Sequence, residues 1–212
     1  MNYVSIAVRA AKLLTAFAVT AALAGCMITS KAELVADSEG QQIWPATVYL
    51  YGYEQDKEAP EAYKRAEDDP LAFTLSGNTY SSADGSMKVR FVPLAEPDTY
   101  LIALVAADGS TYGTAVYRNQ IISANVIVGD ADPAAVITAE MNSGADGGAL
   151  AGTVSEEGGV VVNSRAALDH LIKMSREGKL TLAGLVLYVD EKPDAAAPAK
   201  IVPDGDFWKA AS

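Results

Sequence analysis

His170 is the sole histidine of the chain and stands beside Asp169, the kind of pair from which a general base is made. A base needs a group to activate, and no nucleophile motif accompanies it. The sequence has no Gly-x-Ser-x-Gly elbow, no phosphate-cradling Gly-Lys-Ser/Thr loop and no dinucleotide fingerprint. A single histidine also cannot supply a two-histidine metal site. His170 therefore reads as a residue at the boundary of a helix. Carboxylates are more plentiful. Glu67-Asp68-Asp69, Asp130 with Asp132, and Glu156-Glu157 could offer oxygens to a hard cation such as Ca²⁺. None follows the alternating acidic loop with its bend glycine, so neither a metal nor a cofactor is expected. Two carboxylates meeting in space could work as acid and base, as in glycoside hydrolysis, but nothing in the sequence selects the pair.

Aromatic residues offer a second chemistry. Tyr49, Tyr51 and Tyr53 alternate along one stretch, which puts all three on one face of a strand and Val48 and Leu50 on the other. A tyrosine presents an apolar ring and a polar tip, suited to stacking a sugar or gripping a peptide. Packing at the rim of a core is the simpler reading, because strands select tyrosine anyway. Phe207-Trp208, close to the end of the chain, is the other candidate contact, since two adjacent aromatics either dock on a domain or meet a partner.

Arg9 and Lys12 precede Leu13 to Leu23, an apolar run interrupted by Thr15 and Thr20, which ends in Leu23-Ala24-Gly25-Cys26. A basic start, an apolar stretch and small residues at the cut form the secretory pattern. The run is shorter than the ~20 apolar residues a membrane-spanning helix needs. Leu-Ala-Gly-Cys resembles the lipobox of bacterial lipoproteins. That resemblance implies cleavage before Cys26, a diacylglyceryl group on its sulfur and acylation of the new amine. It also implies anchoring in the envelope with the domain facing the periplasm. Met27, where enterobacterial lipoproteins retained at the inner membrane carry aspartate, points to the outer membrane. Two or more acyl chains hold a protein stably, at ~0.8 kcal/mol per buried CH₂. Cys26 is the only cysteine, so no disulfide is expected.

The chain carries a formal charge of −11, and loss of Arg9 and Lys12 with the signal segment makes it more acidic still. Such a surface repels nucleic acid and anionic headgroups. Four regions are expected: a signal peptide over 1–25, a tether over 26–42, one β-rich domain over 43–190, and a Pro/Ala spacer with an aromatic tail over 191–212. Within the domain, strands are predicted at 47–53, 73–75, 79–81, 87–94, 99–106, 111–117, 121–128 and 182–189. Gly77-Asn78, Asp84-Gly85, Asp108-Gly109 and Arg118-Asn119 supply turns between them. Residues 54–70 read as a charged insert with a helical turn near 62–67, and 142–159 as a loop. Thr99 to Ala106 is apolar on both faces and needs cover on both. Ala167, Leu168, Leu171 and Ile172 form one stripe, predicting one amphipathic helix near residues 164–177, capped by Asn163 or Ser164 and closed by Gly178. The fold class is mainly β (α+β), an antiparallel meander sheet or partly closed barrel or sandwich with that helix.

These features lean away from an enzyme. They suggest a lipid-anchored periplasmic envelope protein that binds a partner protein, a cell-wall component or a small ligand. A carboxylate-based hydrolase, or an assembly or inhibitor module acting through the tyrosine face or Phe207-Trp208, are the alternatives. Cys26→Ser should move the protein from the detergent phase to the aqueous phase on Triton X-114 partition of envelopes, with loss of metabolically incorporated palmitate. An unchanged partition would remove the acyl anchor from the reading.

Overall fold

The computed structural model describes residues 26–128, 133–142, 147–150, 153–156, 159–180, 182–193 and 197–203. The predicted signal peptide, Asp130, Asp132, Glu157 and the Phe207-Trp208 pair lie outside them. Eight antiparallel strands close into a barrel: β2 (Thr47–Asp56), β4 (Leu71–Ser76), β5 (Thr79–Ser82), β6 (Met87–Pro93), β7 (Thr99–Ala106), β8 (Gly109–Arg118), β9 (Ile121–Val128) and β12 (Leu182–Asp190). Each pairs with the next, and β12 returns to β2 over Val186↔Tyr53 through Asp190↔Tyr49. The mainly β, antiparallel fold expected from the sequence is thus the one observed, and the sheet does close. Alternation decides the inside. Val48, Leu50, Phe73, Tyr80, Val89, Phe91, Ile102, Ala115, Ile122 and Val189 fill the barrel as one cluster.

Outside the ring lie β1 (Cys26–Ser30), β3 (Ala59–Arg65), β10 (Val154–Glu156), β11 (Gly159–Val161) and β13 (Lys200–Ile201). Between β9 and β12 the chain also forms α1 (Pro133–Asn142), a 3-10 turn over Gly147–Leu150, and α2 (Arg165–Arg176). Leu168, Leu171 and Met174 of α2 pack with Ile137 of α1, Leu150 and the outward Leu101, Ala103 and Tyr112. This second core is the cover that the doubly apolar β7 requires. The α2 helix starts where expected, with Ser164 Oγ accepting from the Ala167 N–H, and ends at Gly178 with φ +70°.

Several expectations are corrected. Residues 26–42 are no simple tether: β1 pairs with β8, β9 and β11, Ile28 is fully buried, and Val35 lies under the same core. Arg90, buried on the outer face of β6, fastens this stretch by bonding Glu33 and the Val35 carbonyl at 2.9 Å, while its Nε donates to Thr79 Oγ1 of the neighbouring β5 at 2.7 Å. The 54–70 insert contains β3 and no helical turn, because the long β2 continues past the barrel and offers an edge to pair with. Within 142–159, α1 ends at Asn142, and the 3-10 turn and β10 follow. Helix α1 is an addition to the one helix expected. Pro133 suits its first position, yet its sequence carries no clear apolar stripe, so periodicity could not reveal it. The 191–212 spacer supplies β13, which pairs with β3 over Lys200↔Lys64 and Ile201↔Tyr63.

Asp56, buried at the end of β2, ties these late elements together through Lys64 Nζ at 2.9 Å and Lys200 Nζ at 3.1 Å. The Lys64 ammonium first, then the Glu58 N–H, hold its carboxyl down to about 2. A carboxyl lowered on folding stabilises fully above its ordinary value of about 4 and loses that contribution as pH falls through the folded value. Protection of the Arg65 amide, which donates to the Ala199 carbonyl at 3.0 Å, should therefore fall between about pH 4 and pH 2 while the barrel amides stay protected. Asp56→Asn should show the same local loss at neutral pH. Hydrogen exchange by NMR measures both.

Candidate functional site

The two ends of the barrel differ. At one end lie the turns before β2, between β6 and β7 and between β8 and β9. At the other lie the 66–70 link and the β5–β6 and β7–β8 turns. Trp44, in the segment entering β2, closes the first end. Its backbone N–H donates to Tyr80 Oη at 2.8 Å, and the Tyr80 hydroxyl donates back to the Trp44 carbonyl at 2.6 Å. The indole meets Phe91 edge-on at 4.5 Å, Tyr80 at 5.1 Å and Tyr117 at 6.4 Å. Rings at these separations and tilts attract beyond their buried area. Trp44 is a plug.

Behind the plug is a cavity of about 60 Å³, lined by Trp44 and by apolar residues including Leu50, Leu71, Phe73, Met87, Val89, Ile102, Leu104, Ile122, Leu185 and Leu187. Leu71, Met87 and Leu104 are half-buried and stand near the strand ends next to the second set of turns, so the cavity faces that mouth. Those turns carry the exposed Glu67, Asp68, Asp69, Asp84 and Asp108. One buried polar atom of a lining residue stands out. Trp44 Nε1 is buried and has no hydrogen-bond partner among the described residues.

On the other side of Trp44 lies an open polar recess of about 550 Å³, bounded by Gln41, Gln42, Ile43, Asp98, Tyr100, Tyr117, Arg118 and Asn119. Arg118 Nε donates to Asp98 Oδ2 at 2.7 Å. Among the described residues, the non-glycine positions with positive φ are Asp98 (57°), Asn119 (49°) and Gln120 (65°), all in the two turns bordering this recess. Such backbone costs energy and persists where surroundings demand it. Burial raises the phenols of Tyr100 and Tyr117, helped by Asp98 and by Glu191 respectively, so both remain protonated donors at neutral pH.

The sequence candidates fall elsewhere. Tyr49, Tyr51 and Tyr53 do share the outward face of β2, but the chain covers them itself. Tyr51 and Tyr53 are buried with Val186, Ala197 and Ile201, while Tyr49 is half-buried at their edge. The Tyr51 hydroxyl donates to the Lys192 carbonyl at 3.3 Å, the Tyr53 hydroxyl donates to the Pro198 carbonyl, and Arg65 lies over the Tyr51 ring at 4.5 Å. His170 is buried and meets Glu140 of α1 at 3.2 Å, whereas Asp169 binds Arg165 at 2.8 Å. His170 and Asp169 thus bond different partners and form no pair of the kind a general base needs. Lys179 lies 3.7 Å from the same Glu140, making an ion cluster between helices rather than a base facing a cleft. Among the described residues no three His, Cys, Asp or Glu side chains gather where they could hold a metal ion. Cys26 takes its place at the start of β1, opposite Val128 of β9.

Trp44 and the recess were missed in the sequence. Trp44 lies outside any alternating strand, and the recess joins turns far apart in the chain. The pair of left-handed residues at Asn119-Gln120 was half visible as a hairpin signal. No known protein family, curated protein or solved structure matches this chain.

Trp44→Ala should join cavity and recess and cost about 3–5 kcal/mol, as loss of a buried aromatic does, and Trp44→Phe should cost clearly less. Urea unfolding followed by far-UV circular dichroism gives both values. Equal costs would mean that a phenyl ring recovers none of the lost packing, and would refute a space-filling role for Trp44.

Proposed function

We propose that this chain is a lipid-anchored envelope protein facing the periplasm, held through acylated Cys26, at the outer membrane in view of Met27. In this reading it binds rather than catalyses, and its ligand is a small, largely apolar molecule carrying one hydrogen-bond acceptor. The observation that carries the reading is the unpaired indole N–H of Trp44, a residue that lines an otherwise apolar cavity inside a closed barrel. A buried donor left unpaired costs about 1–3 kcal/mol. A water molecule would not remedy this well. Buried waters typically make about three hydrogen bonds, and every other lining side chain here is apolar. A carbonyl or ether oxygen on an apolar body would satisfy the indole and fill the space together. An eight-stranded barrel is the size that either fills with side chains or holds one such ligand.

The cavity is small, so the accepted molecule is short, or it displaces the half-buried Met87, whose unbranched side chain repacks readily. The acidic turns at the mouth disfavour anionic ligands such as fatty acids.

Trp44 reports on its own site once Trp208 is replaced by Phe. Titration with short-chain ketones should give a saturable change in Trp44 fluorescence. Alkanes of matched length should bind roughly tenfold more weakly, the value of one hydrogen bond. Equal response to ketone and alkane would refute the acceptor requirement, and no response to either would refute the cavity as a ligand site.

A further inference from the structure

The recess on the outer side of Trp44 has a chemistry opposite to that of the cavity. We propose that it is a second binding site, for an uncharged polyhydroxylated ligand of the carbohydrate class. Its charges cancel locally: Asp98 and Arg118 are paired at 2.7 Å in a chain whose formal charge is −11. An anion would meet Asp98 and a cation would meet Arg118, so neither gains from entering. A pair of neighbouring hydroxyls gains from both. The Arg118 ion pair uses Nε, which leaves the guanidinium's terminal N–H groups to donate, and the second Asp98 oxygen can accept. Charge-assisted bonds of this kind are about twice as strong as neutral ones.

The rest of the wall fits the same ligand. Gln41 and Asn119 are exposed amides, each both donor and acceptor, as a sugar hydroxyl is. Tyr100 and Tyr117 are half-buried in the wall, bringing an aromatic ring and a protonated phenol each. A volume of about 550 Å³ admits one or two pyranose rings. The strained turns support a binding role. Two of the three left-handed residues, Asp98 and Asn119, line the recess, where glycine would relieve the backbone and forfeit the side chain. Position agrees as well. Ser30 pairs with Ser110 beside the β7–β8 turn, which places the end of β1 at the mouth end of the barrel. The recess lies at the opposite end, away from the element that carries Cys26.

Calorimetric titration of the full chain in detergent tests this, with triacetylchitotriose and maltotriose as sugar probes and inorganic phosphate as the anion. The expected result is saturable binding of at least one sugar and none of phosphate. Arg118→Gln should weaken sugar binding by about tenfold or more, as loss of charge-assisted hydrogen bonds does. Gln41→Ala, at an exposed position, should weaken it about twofold with unchanged thermal unfolding. The Trp44 response to ketones should persist in both variants, which keeps this site separate from the cavity. Binding of phosphate in place of the sugars would overturn the proposal, as would sugar binding indifferent to both substitutions. Failure of both sugars to bind would overturn it too.

Discussion

The pairing of Tyr49–Tyr53 with Val186–Asp190 turns a long antiparallel ribbon into a closed barrel, and most other features depend on that seam. It joins the first ring strand to the last, across the whole intervening chain. Non-local pairings like this cost chain entropy before they return any contact energy. They also remove the exposed edges that an open meander would present. With the seam made, the inward side chains of eight strands meet and water is excluded from the interior. Without it, Trp44 would cap nothing.

Closure also explains which parts of the fold were legible in the sequence. Strands β6 to β9 announce themselves by short runs of β-branched, aromatic and aliphatic residues and by turns whose residues suit left-handed backbone. Helix α2 shows its stripe and its caps. Their secondary structure is dictated locally, so a local reading finds it. Elements β1 and β3 pair along ring strands where these leave hydrogen-bonding groups to satisfy, and β13 in turn pairs with the outer edge of β3. No window of residues contains that information. The tyrosine face shows the same limit. Alternation correctly put Tyr49, Tyr51 and Tyr53 on one side, but could not show that Ala197 to Ile201 folds back over it.

The polar groups are sorted by position along the barrel axis. Acidic turns surround the mouth, whereas the plugged end pairs its charges and keeps its phenols neutral. The side wall holds the one buried guanidinium among the described residues, Arg90, which draws the segment after β1 against the barrel through the Val35 backbone carbonyl and the Glu33 carboxylate. That segment ends in Trp44. The anchor of the outer wall and the plug of the interior are therefore consecutive parts of one strip of chain, with Gln41 N–H bonded to the Phe91 carbonyl at 2.8 Å between them.

Strand β1 begins at Cys26 itself. An acyl group there would leave no slack between lipid and sheet. A protein on a long leash samples a hemisphere above the bilayer, and its effective concentration at any target falls as the leash lengthens. This barrel would instead sit flush with the headgroups like a stud, with its tilt set by the strand that bears the lipid. Its mouth would draw on whatever partitions into the bilayer surface, so membrane solubility, more than aqueous abundance, would determine what reaches the interior.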